Sequence, residues 1–251
     1  MGKFEFTPMM SRYLLKFAFR ITVFCSVLGI YLFADVSLWD LANQPLVYGI
    51  TPMHVLWATF MIIMLSHIFP GTFHTMALKK ADKETYREEK GYSELGMLRF
   101  VQDMNRKAWI VMLVWLVGNG VLGLLYLLSV LDRSDLLMFT VFFFLCDYIC
   151  ILIFCPFQTC IMKNKCCVNC RIYDWGHFMM FTPMLFIPNF YSWSLFFTSC
   201  VVLIRWEIVY AAHPERFWSG SNQILQCANC KDKTCQVKRR VRNTVVKCVG
   251  K

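Results

Sequence analysis

Long apolar runs alternate with short polar segments along the whole chain, and the lengths of the runs set what they can be. Runs near the ~20 residues that cross the hydrocarbon core of a bilayer fall at 14–34, 46–69, 108–131 and 136–162. A further apolar stretch, 176–211, is too long for one crossing. Pro188-Asn189 divides it and predicts a turn between a short fifth helix at 177–187 and a longer sixth at 190–211. The fifth is short of a comfortable crossing and holds Pro183, so it reads as a short or re-entrant helix. The expected fold is all-α: a polytopic transmembrane helix bundle of six membrane segments. Its bundle occupies 1–211, including a cytosolic loop at 79–107, and a polar tail follows at 212–251.

Composition points the same way. With 57% hydrophobic residues, 17% charged residues and a mean hydropathy of +0.48, the chain has too little polar surface to cover a soluble domain of its length. The first run has no Ala-x-Ala-like exit and is read as a retained span rather than a signal peptide.

Charge gives an independent check on the number of crossings, because loops facing the cytoplasm carry the excess of Lys and Arg. Six crossings put both termini, the 79–107 loop, Lys163, Lys165 and Arg171 on one side, and with them every basic residue except Arg133 and Arg205. The opposite loops hold Asp35, Asp40, Asp132 and Asp135. A cytosolic placement of both termini, in the plasma or cytoplasmic membrane, follows as the expectation.

Within the large loop, the mixed-sign stretch 79–90 predicts a solvated helix. Leu95, Leu98, Val101 and Met104 then fall on one stripe and predict an amphipathic interfacial helix leading into the third span. The run Lys238-Arg239-Arg240-Val241-Arg242 in the tail is expected to contact anionic lipid headgroups. It has no aromatic interleaving, and no nucleic acid is expected as a partner.

Two cysteine clusters bracket the last hydrophobic hairpin: Cys166-Cys167-x2-Cys170 and Cys227-x2-Cys230-x4-Cys235. An even number of crossings between them brings both to the same reducing face, where metal binding is favoured over disulfides. Cys167, Cys170, Cys227 and Cys230 then form two Cys-x2-Cys knuckles for one tetrahedral site, with Cys166 and Cys235 as additional ligands. Spacing fits zinc or an iron-sulfur cluster, and the ferredoxin run Cys-x2-Cys-x2-Cys-x3-Cys-Pro is absent. Cys155-Pro156, inside the fourth span, predicts a kink.

Asp147 falls near the middle of the fourth span, where a carboxylate is expensive and either functional or paired. One reading makes it a proton relay or ion site. The other pairs it with a neighbouring helix such as the third, whose Gly118-Asn119-Gly120 offers close approach and the Asn119 amide. Arg20, Arg205 and Glu207 are expected to snorkel to the headgroups or pair with one another, and His67, His74, His177 and His213 to lie at the interface. No phosphate loop, nucleophile elbow or zinc-protease signature occurs, so no enzyme class is assigned. The metal is expected to act mainly as a structural staple for a transporter-like or partner-binding bundle. The alternative is membrane electron transfer through an iron-sulfur cluster at the same cysteines.

Overall fold

The computed structural model describes residues 6–69, 77–164, 166–167 and 169–241, and among these every regular element is helical. Seven α-helices are present: α1 (Pro8–Phe33), α2 (Leu38–Asn43), α3 (Pro52–Ile68), α4 (Glu94–Leu127), α5 (Arg133–Leu152), α6 (Gly176–Phe181) and α7 (Phe190–Ala212). Their starts are chemically marked. Thr7 caps α1 with Pro8 at its first position, and Thr51 with His54 and Asp132 with Asp135 close capping boxes on α3 and α5. Asn189 caps α7 directly after Pro188, where the sequence places the turn.

Four helices, α1, α4, α5 and α7, are long and apolar enough to cross a membrane, and α3 is a shorter apolar helix of 17 residues. The expected fifth helix is not a continuous rod. It is a turn at Tyr173–Trp175, the six-residue α6, and a 3-10 turn at Thr182–Phe186. Pro183 has no N–H to give to the helix, and the Thr182 hydroxyl donates to the Phe178 carbonyl instead.

Three other expectations shift. The amphipathic stretch and the third span are one uninterrupted helix, α4. The fourth span ends at Leu152, because the chain leaves helical geometry before Cys155-Pro156 and then makes a π-helical turn, Phe157–Ile161. The 79–90 stretch is not a helix beyond the 3-10 turn Leu78–Ala81. Its backbone bonds to the tail instead, Glu89 N–H to the Ser221 carbonyl and Gln223 N–H to the Arg87 carbonyl, each at 2.9 Å. Tertiary partners there outweigh helix propensity.

The short segment 173–187 is the hub. α5, α7 and α4 pack around it, α1 lies against α5, and α3 lies against α7. Met180, Phe181, Met184 and Ile187 join Leu136, Leu195 and Val202 in the larger core. A second core of Met104, Val111, Met162, Trp175, Trp206 and Phe217 lies under the loops. The outward faces of α1, α4 and α7 expose Leu15, Phe19, Leu113, Val117, Leu124, Ile204 and Ile208, as the lipid-facing surface of a membrane helix does. Gly118 and Gly120 face open space, and the close approach on α4 occurs at Gly123, against Phe186 of the hub.

Candidate functional site

Between α1, α3, α5 and the hub lies a cavity of about 610 Å³ whose polar lining includes Lys16, Arg20, His67, Asp147, Asp174 and His177. Its first pair joins helices that are distant in sequence. Arg20 of α1 donates to the Asp147 carboxylate of α5 at 2.7 Å and also to the Phe144 carbonyl. The guanidinium is sandwiched over the Phe144 and Tyr148 rings, 4.1 and 4.0 Å from their centroids. A carboxylate in a low-dielectric bundle is tolerable when paired in this way. Gly176 gives it room, since a Cβ there would lie 3.0 Å from Asp147 Oδ1.

The partner of Asp147 is therefore Arg20 on the first helix, not the third-helix amide. Asn119 turns back on its own helix, donating to the Trp115 carbonyl at 3.0 Å. Arg20 is engaged in the bundle and does not snorkel.

The second pair lies toward the loops. His67 Nδ1 and Asp174 Oδ1 are 2.8 Å apart, and the His67 ring meets His177 edge-on at 4.7 Å. Arg205 donates to the His67 carbonyl. His67 and His177 thus form part of an internal network and are not simply interfacial. His213 sits 3.2 Å from Glu215, and His74 lies outside the described residues. Glu207 is not paired with Arg205. It accepts a forked pair of hydrogen bonds from Arg171 and a third from Trp175 Nε1 at 2.8 Å.

The cysteine clusters meet where the tail docks on the 166–174 loop. Cys166 and Cys230 pack with Ala77, Leu225, Ile224 and Tyr173 in one small core. The Cys167 thiol donates to Gln158 Oε1 at 3.1 Å, and Lys238 Nζ donates to Cys167 Sγ at 2.8 Å. Asn169 donates to the Leu225 carbonyl at 3.3 Å. Cys170 is buried, and burial pushes its thiol up to about 12, while Cys227 and Cys235 are exposed. Among the described residues, no three His, Cys, Asp or Glu side chains are gathered to hold a metal ion. Cys166 and Cys230 share the small core, and Cys167, Cys170, Cys227 and Cys230 are not gathered round one point.

Two residues of this face carry no signal in sequence. Lys80, from the mixed-sign stretch, is fully buried, donates to the Cys170 carbonyl at 3.2 Å, and has its amine pushed down to about 8 by burial. Lys238, from the run read as lipid-binding, reaches inward to Cys167 and Gln158.

Comparison of the chain with protein-family models, curated proteins and solved structures finds no match, so the functional reading stands on this geometry.

Proposed function

We propose that the chain is an integral membrane protein with a transporter-like bundle, whose working site is the cavity closed by the Arg20–Asp147 and His67–Asp174 pairs. The observation that carries the reading is that cavity: two pairs of ionisable side chains line one space large enough for a small polar solute. In this reading α3 and the broken hub complete six membrane segments with the four long helices, both termini are cytosolic, and Arg239 and Arg240 touch anionic headgroups.

A zinc ion or iron-sulfur cluster on Cys167, Cys170, Cys227 and Cys230, with Cys166 and Cys235 beside them, staples the tail to the loop. The docking contacts of Asn169, Cys230 and Lys238 support this role, since a metal would reinforce an interface already present.

Elemental analysis of protein purified anaerobically tests the staple. One equivalent of zinc, lost together with protease resistance of the tail in Cys227→Ser/Cys230→Ser, is the expected result. Iron with labile sulfide moves the site to electron transfer, and metal-free wild type removes it. The cavity is tested separately with Ser66→Cys, labelled with a membrane-impermeant maleimide and read at position 66 by peptide mapping, since Cys25, Cys160, Cys227 and Cys235 are exposed as well. Labelling from one side only, slowed by Asp147→Asn, is expected; inertness from both sides overturns a solute-accessible site.

A further inference from the structure

The polar cavity has an apolar neighbour. A second space, of about 390 Å³, is lined mainly by apolar side chains, among them Trp115, Phe143, Phe154, Phe157 and Met179. Asp147, Ile151, Tyr173, Gly176 and Met180 line both spaces, so the two share one wall, and at Gly176 that wall has no side chain. The Asp147 carboxylate stands in it and keeps 32% exposure although it is paired with Arg20 inside the bundle. Phe154 of the apolar space and Phe19 of the polar one are 52% and 63% exposed, so both spaces border the outer surface of the helices.

The polar space also has cationic capacity to spare. Both hydrogen bonds of the Arg20 guanidinium, to Asp147 and to the Phe144 carbonyl, use Nη1. Nε and Nη2 have no partner among the described residues, and neither is a buried atom. Lys16 lies four residues earlier on the same face of α1, lines the same cavity, is exposed, and has no partner among the described residues. The edge of a guanidinium matches the paired oxygens of a carboxylate or phosphate, and the Lys16 ammonium adds a second positive charge beside it.

We infer that the working site takes a single-chain amphiphile with an anionic head, a carboxylate or a phosphate. The head sits on the free edge of Arg20 and on Lys16, and the alkyl chain passes the wall at Gly176 into the apolar space. The inference rests on the working site proposed above and names the class of molecule that fills it. A solute confined to the polar space would leave the aromatic and methionine lining without an occupant, whereas an alkyl chain is removed from water by it.

The test uses the full-length protein in phosphatidylcholine nanodiscs, with dodecanoic acid carrying a mid-chain diazirine as the probe. Photolysis and peptide mapping should place saturable adducts at residues such as Phe154, Phe157 and Met179. Excess dodecanoate or dodecyl phosphate should compete them away and dodecanol should not; the stronger of the two anions identifies the source, a free fatty acid or a lysophospholipid. Lys16→Gln should raise the half-saturating concentration about fivefold, the reach of an exposed charge pair, while Arg99→Gln, an exposed cation outside both cavities, leaves it unchanged. Met179→Trp, which fills the apolar space, should abolish the saturable adducts. Adducts confined to the outer faces of α1, α4 and α7, competition by dodecanol equal to that by dodecanoate, or an unchanged half-saturation in Lys16→Gln overturns the proposal. The wild-type map and Lys16→Gln decide the matter even if Met179→Trp fails to fold. One-sided labelling of Ser66→Cys without saturable adducts sinks the amphiphile alone, and failure of both sinks the working site with it.

Discussion

A Cβ placed on Gly123 would lie 2.3 Å from the Phe186 ring, so α4 and the hub are in contact at a position that tolerates no side chain. Gly123→Ala should lower stability by about 1–3 kcal/mol through overpacking. Gly120→Ala, with open space around it, should be neutral or raise stability by up to about 1 kcal/mol through helix propensity. Thermal unfolding of the two variants in the same detergent checks the contrast. Equal effects would show that Phe186 does not seat against α4.

Removing one member of the Arg20–Asp147 pair strands the other in the bundle. Arg20→Met should cost about 1–3 kcal/mol, because a hydrogen bond to a charged group is lost and the carboxylate keeps no cation. Adding Asp147→Asn to Arg20→Met should recover part of that loss. A double-mutant cycle measures the coupling, and strict additivity of the two changes would mean the pair contributes nothing.

Lys80 supplies a pH signature. Its amine falls from the ordinary value near 10.5 to about 8 on folding, so the unfolded chain binds the proton more tightly. The burial penalty is therefore fully present below pH 8 and is relieved as pH rises from 8 to 10.5, by about 3 kcal/mol at most. Wild type should gain stability relative to Lys80→Met across that window. Parallel curves for the two proteins would place the Lys80 amine in water.

The proposed orientation is checked with reporters. A C-terminal fusion to an enzyme active only outside the cytoplasm should give no signal, whereas the same enzyme inserted between Ser129 and Val130 should be active. Strong activity at the C-terminus would reverse the orientation.

Local chemistry was legible in the sequence. Pro188-Asn189 marked the start of α7 because one side chain and one missing N–H are enough to stop and restart a helix, whereas Cys155-Pro156 reads as a kink in a span that in fact ends at Leu152. The partner of Asp147 was not legible. Arg20 lies 127 positions away, and a hydropathy pattern records which face of a helix is apolar but not which other helix it meets. Lys80 was hidden similarly: a lysine among charged neighbours reads as solvated, and only the fold shows Trp206 and Phe217 closing over it. The cysteine spacing identified the two clusters, while their approach depends on tail contacts such as Asn169 to Leu225.

The Lys238 contact with Cys167 also imposes an order on biogenesis. The two residues lie 71 positions apart, so when the 166–174 loop leaves the ribosome, the segment that will cover it has not been made. Cys167 must meet the cell before its lid exists, and any ion, oxidant or chaperone acting at that thiol has its first access during synthesis. Translation speed through the last hairpin then becomes a variable in how this face matures.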